Sequence, residues 1–133
     1  MILWIQTYVT ALIAFAVIDV GWIAGVVKPT YSKHLPHLLA DKINLGAGAA
    51  FYLIFVAGIV YFAIAPGTEK STLEIVRDGA LYGLFTYGTY SLTMQAVLKD
   101  VPTVVVLTDI LWGIALCALV AFAASWVVAK LFA

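Results

Sequence analysis

Hydrophobic residues fall into four long runs along the chain, separated by short polar segments. The runs cover roughly residues 3–27, 46–65, 73–97 and 102–129. A membrane-spanning helix needs about 20 mostly apolar residues, and each run is long enough. The runs lack the alternation of barrel strands, and a backbone in lipid must satisfy its own hydrogen bonds, so they predict helices. The pattern predicts an all-α, integral membrane four-helix bundle, with residues 1–133 as a single transmembrane domain.

Composition supports a membrane protein and excludes a soluble class. Hydrophobic residues make up 65% of the chain and charged residues 11%, against roughly 45–50% and 25% in soluble domains. Seven basic residues balance seven acidic ones, so no net charge favours nucleic acid as a partner. Membrane lipids are the expected partners. The N-terminus has no basic residue ahead of its apolar run, which favours a retained span over a cleaved signal peptide.

Three connections join the predicted spans. The first, residues 28–44, carries apolar residues among charged ones and predicts a short helix at the membrane interface; those apolar residues are Leu35, Leu38, Leu39 and Ile43. In the second connection, Ser71 precedes Glu74 by three residues, which is the spacing of a capping box at a helix start. The third, "LKDVP", is a tight hairpin in which Pro102 suits a helix start.

Membrane orientation has almost no charge signal. Basic residues on the side of the first and third connections are Lys28, Lys33, Lys42 and Lys99, and those on the other side are Lys70, Arg77 and Lys130 with the terminal amine. The positive-inside rule therefore favours neither orientation. Near-zero bias permits insertion both ways round, and hence a homodimer with antiparallel subunits.

Four polar side chains, one from each predicted span, lie eight or nine residues from a polar residue that marks the membrane surface. They are Asp19, Tyr52, Tyr90 and Asp109. At about 1.5 Å per residue, all four should lie roughly 12–14 Å below the surface that bears the first and third connections. The sequence therefore predicts that they meet at one level.

Two carboxylates at that depth require an explanation. Each costs roughly 2.5–3.5 kcal/mol near the bilayer centre, so both should face the protein interior. No Lys, Arg or His lies at their level to compensate. Three alternatives stay open: the acids are protonated and hydrogen-bonded, a cation or an amine-bearing ligand binds between them, or water enters from the loop side.

The third predicted helix is the most polar span. At helical spacing Gly79, Gly83, Thr86, Tyr87 and Tyr90 form one stripe, whose glycines permit close approach of a neighbouring helix. Gly21 and Gly25 offer a second close approach beside Asp19. The predicted ligand-binding residues are Asp19, Trp22, Tyr52, Tyr87, Tyr90, Thr93, Asp109 and Trp112.

One arrangement resembles a metal site. His34, His37 and Asp41 are spaced at i, i+3 and i+7, which could bring three ligands to one helix face. Pro36 lies between the histidines and disfavours such a helix, so a solvated interfacial segment is the preferred interpretation. No metal and no cofactor are expected. No nucleophile triad, phosphate loop or metalloprotease motif occurs, which weakens soluble-type enzyme hypotheses.

With these residues in view, the chain resembles the domain-of-unknown-function 2177 family. The resemblance rests on "DVGW", "VVKPTYSKHLPHLL", "FYLIFVAGIVYFAIAPG" and "YGTYSLTMQAVLKDVPTVVVLTDILWG", in that order. It implies a small, multi-pass, four-helix protein of the bacterial inner membrane. It implies no activity, because the family has none assigned.

The resemblance extends to individual residues. Residues that match the family motifs are Asp19 and Trp22 on the first helix, Tyr90, Leu92 and Thr93 on the third, and Asp109, Trp112 and Gly113 on the fourth. The third-helix motif usually reads Tyr-Asp-Leu-Thr-Asn. Here Ser91 replaces the acid and Met94 replaces the amide, so any family function that needs a third carboxylate is altered in this chain.

Three functional hypotheses are compatible with these residues. The leading hypothesis is small-molecule, cation or proton binding or transport, in a polar pocket lined by the two acids and the tyrosines. The second is a lipid- or isoprenoid-modifying enzyme or subunit, in which Asp19 and Asp109 act as an acid/base pair. The third is a structural or assembly partner whose polar layer only fixes helix register.

Overall fold

The computed structural model describes residues 1–34 and 44–132, and these are helical apart from short turns. The elements are α1 (Ile2–Trp22), a π-helical segment (Ile23–Val27), α2 (Lys28–His34), α3 (Leu45–Gly58), a second π-helical segment (Ile59–Ile64), α4 (Thr72–Val97) and α5 (Thr103–Phe132). No strand occurs within the described residues. The all-α prediction is confirmed, and each predicted span corresponds to a helix.

Four helical rods pack side by side around a main apolar core, and a smaller apolar cluster forms at Val101, Val105 and Val106. The first rod runs through α1 and α2, the second is α3 with its π-helical end, and α4 and α5 are the third and fourth. α5 packs against α1 and α4, and α3 with its π-helical end packs against α1 and α4. Large side chains fully buried between the rods include Phe15, Val56, Ile59, Leu116 and Val120.

The first rod is longer than predicted. The hydrophobic run ends at Val27, whereas the helix continues through Pro29 to His34. Proline lacks an N–H, and its ring collides with the carbonyl four residues earlier. That carbonyl belongs to Gly25, inside the wider π-helical segment, and Pro29 then falls in the first turn of α2, where it is tolerated. The predicted interfacial residues Leu35, Leu38, Leu39 and Ile43 lie outside the described residues.

Polar caps fix the helix ends on either side of the second connection. The Ser71 hydroxyl accepts a hydrogen bond from the Glu74 N–H at 3.2 Å, so the predicted N-cap of α4 is confirmed. α3 and its π-helical end stop at Ala65, whose φ of 45° is left-handed. Lys70 then donates to the Ala63 carbonyl at 2.6 Å and pairs with Asp78 at 2.6 Å, which ties this helix end to the start of α4.

α4 and α5 approach each other closely because glycines line their contact. A Cβ placed on Gly79 would lie 2.7 Å from the Cys117 carbonyl oxygen, and one on Gly83 would collide with the Gly113 backbone. The predicted close approach at Gly79 and Gly83 is confirmed. The one predicted at Gly21 and Gly25 is wrong, because both residues are exposed and a Cβ there would meet nothing within 4 Å.

Three helical stretches in the described part of the chain are long and apolar enough to cross a membrane. They are Ile2–His34, Leu45–Ile64 and Thr103–Phe132. α4 has 26 residues but is less apolar, because its first two turns carry Glu74, Arg77 and Asp78 and its second half is rich in Thr and Tyr.

Candidate functional site

A cavity of about 510 Å³ opens between the four rods, near the joint of α1 and α2. Twelve side chains line it: Asp19, Trp22, Ile23, Val27, Tyr31, Phe51, Phe55, Thr86, Tyr87, Tyr90, Asp109 and Trp112. Seven of them are aromatic, two are carboxylates, and none is Lys, Arg or His. We call this space the aromatic–acidic cavity.

Asp19 lines the cavity and accepts two hydrogen bonds. The side chain is buried, with 5% of its residue surface exposed. Its Oδ2 accepts from the Tyr52 hydroxyl at 2.8 Å, and its Oδ1 accepts from the Trp112 indole N–H at 3.3 Å. Both oxygens therefore have neutral donors from the second and fourth rods, which fixes the carboxylate against α3 and α5.

Asp109 is bound to a different helix. It is 9% exposed, and its Oδ2 accepts from the Tyr31 hydroxyl at 2.7 Å. Among the described residues, no protein donor reaches its Oδ1. The second carboxylate therefore keeps one acceptor oxygen for a species in the cavity.

Two indole rings stack beside the carboxylates. Trp22 and Trp112 are parallel, with centroids 4.1 Å apart and an angle of 2° between the ring planes. The Trp112 N–H is used by Asp19, whereas the Trp22 N–H is buried and has no partner among the described residues. An unpaired buried donor costs about 1–3 kcal/mol, so a water or a ligand atom at this position would be stabilising.

α4 forms another wall of the cavity. A Cβ on Gly113 would collide with the Tyr87 ring, so the glycine next to Trp112 makes room for that tyrosine. Thr86 and Tyr90 line the cavity from the same face of α4. The stripe predicted on this helix therefore has two parts: its glycines pack against α5, and its hydroxyl-bearing residues face the cavity.

The structure brings together most of the predicted ligand-binding residues. Those that line the cavity are Asp19, Trp22, Tyr87, Tyr90, Asp109 and Trp112. Tyr52 does not line it and instead supports Asp19. Thr93 is exposed and does not line it; three residues after Tyr90, it lies one turn further along the same face of α4. The four residues predicted at one depth thus divide into three on the cavity wall and one behind it.

The hydrophobic pattern does not single out Tyr31, because this residue lies beyond the first apolar run, in the predicted connection. Asp19, Ile23, Val27 and Tyr31 all line the cavity, and they follow one another at steps of four, which keeps them on one helix face. Continuing that step past Lys28 would have reached Tyr31. Phe51 and Phe55, at the same step on α3, were missed because they do not differ from ordinary core aromatics.

The predicted metal arrangement has no structural counterpart to assess. His34 ends α2, whereas His37 and Asp41 lie outside the described residues. Within the described ranges, no group of three His, Cys, Asp or Glu side chains could hold a metal ion. Ser91, which the family resemblance aligns with an acid, is fully buried on α4, and its hydroxyl has no partner among the described residues.

Apolar helices of this length around a buried polar cavity define a membrane protein. The sequence profile of the predicted membrane protein family DUF2177 matches residues 4–126, which is nearly the whole chain. The chain belongs to this family, as its motifs indicated. Neither the search of curated proteins nor that of solved structures found a match.

Proposed function

We propose that this membrane protein binds a small molecule or cation inside the bilayer, in the aromatic–acidic cavity. The observation that supports this most is that two buried carboxylates from different helices, Asp19 and Asp109, line the same cavity of about 510 Å³. Ligand sites are commonly about 300–1,000 Å³ and combine apolar walls with a few polar groups. The cavity has that size and that composition.

The cost of the carboxylates favours binding over a purely structural role. A carboxylate deep in a membrane costs roughly 2.5–3.5 kcal/mol. An amide could fix helix register at lower cost. Each carboxylate is bonded to its own tyrosine, Tyr52 or Tyr31, so the geometry offers no hydrogen-bonded acid/base pair that would favour catalysis.

The proposal includes four crossings of a bacterial inner membrane. α4 lies against α5, and its 26 residues span about 39 Å at about 1.5 Å per residue, more than the roughly 30 Å of the hydrocarbon core. Its glycines contact α5, and Thr86, Tyr87 and Tyr90 line the cavity, whereas Thr89 and Thr93 are exposed. The family resemblance is what supports the inner-membrane location.

Ligand-induced stabilisation tests the binding proposal. The purified protein in neutral detergent is heated with a cationic, a neutral and an anionic amphiphile in separate series. A species that binds the native cavity at 100 times its Kd stabilises the fold by about 2.7 kcal/mol. We expect stabilisation by at least one class, reduced in Asp109→Asn and unchanged in Asp100→Asn, whose exposed side chain lies in the α4–α5 hairpin.

Flux across proteoliposomes then tests transport of the stabilising species, of protons and of alkali cations. We expect uptake with the native protein and loss of uptake with Asp19→Asn and Asp109→Asn. The absence of both stabilisation and flux for every species would refute the proposed function.

A further inference from the structure

We infer that the ligand of the aromatic–acidic cavity is a free organic cation, with an ammonium or phosphonium centre on an apolar body. The inference rests on the proposed function and specifies its substrate class. It follows from the sign of the charge in the cavity, the nature of its walls, and the unused oxygen of Asp109.

The charge of the cavity selects against anions. Both charged side chains among its twelve lining residues are acidic, and opposite charges attract more strongly in a low-dielectric interior than in water. An anionic ligand would face two carboxylates without a compensating cation. A lipid headgroup that carries a phosphate is disfavoured for the same reason.

The walls select an organic cation over a metal ion. Calcium takes six to eight oxygen ligands and magnesium needs near-ideal octahedral oxygen coordination, whereas ten of the twelve lining residues are aromatic, aliphatic or threonine. Aromatic faces attract large, weakly hydrated cations by about 0.5–2 kcal/mol each. Seven aromatic side chains, with the stacked pair Trp22 and Trp112 among them, suit a cation that carries alkyl or aryl groups.

The two acids differ in how many of their oxygens already accept a hydrogen bond from the protein. Asp19 already accepts from Tyr52 and Trp112, so its oxygens are occupied by the fold. Asp109 accepts from Tyr31 alone and is more than nine-tenths buried. Asp109 is therefore the direct counter-ion of the ligand, and Asp19 acts at longer range and holds Trp112 in place.

Two ions of the same shape and opposite charge test the inference on the native protein. Tetraphenylphosphonium and tetraphenylborate are titrated separately by equilibrium dialysis against the protein in neutral detergent. Binding to the double variant Asp19→Asn/Asp109→Asn measures partition into the micelle and is subtracted. We expect specific binding of the phosphonium only. Specific binding of the borate, or equal binding of both ions, would overturn the inference and leave the proposed function standing.

Single variants test the division between the acids. We expect Asp109→Asn to raise the Kd for tetraphenylphosphonium by about tenfold or more, the equivalent of 1.4 kcal/mol, and Asp19→Asn to raise it less. Asp100→Asn serves as the control and should leave the Kd unchanged. A melting curve for each variant checks its fold. A larger effect of Asp19→Asn than of Asp109→Asn would refute the assignment of Asp109 as counter-ion.

Competition distinguishes a free cation from a lipid headgroup. Added phosphatidylethanolamine, which carries an ammonium and a phosphate, should not displace tetraphenylphosphonium, whereas benzyltrimethylammonium should. Displacement by the lipid would overturn the assignment of a free cation. Failure of every cationic, neutral and anionic probe to bind would instead refute the proposed function itself.

Discussion

The carboxylates of Asp19 and Asp109 are held by hydroxyl and indole donors rather than by a basic residue. Three hydrogen bonds join them to Tyr52, Trp112 and Tyr31. Hydrogen bonds to charged groups stabilise by about 1.5–3 kcal/mol, more than neutral ones. The donors fix the orientation of each acid, and none of them supplies a positive charge.

Removing the tyrosine donor of Asp19 should weaken the fold more than removing a neutral tyrosine contact between the same helices. We expect Tyr52→Phe to lower the free energy of unfolding by about 1.5–3 kcal/mol. Its control is Tyr8→Phe, which loses only a bond to the Leu53 carbonyl and should cost about 0.5–1.5 kcal/mol. Thermal unfolding in detergent measures both. Equal losses would contradict a stronger hydrogen bond at Asp19 than at the Leu53 carbonyl.

At the scale of the elements, the contact between α4 and α5 positions the site. Gly79 and Gly83 bring α4 against the backbone of α5 at Cys117 and Gly113. The same approach places Tyr87 over Gly113, next to Trp112 and the cavity. The width of the cavity between these helices therefore depends on residues without side chains.

An alanine at Gly83 should separate the two helices. Its Cβ would collide with the Gly113 backbone, and overpacking of this kind costs about 1–3 kcal/mol. Gly88→Ala on the same helix is the control, because a Cβ there meets nothing within 4 Å. Since alanine favours a helix over glycine by about 1 kcal/mol, this variant should be neutral or more stable. Melting temperatures that fall equally in both variants would contradict the close packing of Gly83 on Gly113.

The second connection is joined to the bundle by one lysine. Lys70 donates to the Ala63 carbonyl and pairs with Asp78, and its side chain is 18% exposed, whereas the Arg77 side chain on the same acid is 61% exposed. Exposed ion pairs contribute about 0–1 kcal/mol. We expect Lys70→Gln to destabilise by about 1–2 kcal/mol and Arg77→Gln by less than about 0.5 kcal/mol, measured by thermal unfolding. A greater loss in Arg77→Gln would refute this.

For the whole molecule, the number and direction of crossings can be tested together. In a Cys117→Ala background, Glu69→Cys and Lys99→Cys mark the two ends of α4. If α4 crosses the membrane in one orientation, an impermeant thiol reagent on intact cells should label only one of the two variants, and permeabilised cells should label both. Partial labelling of both on intact cells would show insertion both ways round. Full labelling of both, or labelling of neither, would contradict four crossings.

The course of the helices could be predicted because a helix closes its hydrogen bonds within a few residues of sequence. The lengths of the apolar runs, the Ser71 cap and the Gly79–Gly83 pair are local features of this kind. The first span shows the limit of such reasoning: its hydrophobic run ends at Val27, but the helix continues through Pro29 because a π-helical segment precedes that proline. A shift in hydrogen-bond register leaves no clear mark in the hydrophobic pattern.

The sequence by itself determined that this chain is a helical membrane protein, and it predicted that two acids face the protein interior. Burial of those acids follows from their cost in lipid, which depends only on residue type and position. The tertiary structure alone decided their partners, because Tyr52 and Trp112 lie 33 and 93 residues from Asp19, and Tyr31 lies 78 residues from Asp109. Those hydrogen bonds depend on how far each helix is rotated about its axis, and the packing of all four rods sets that rotation.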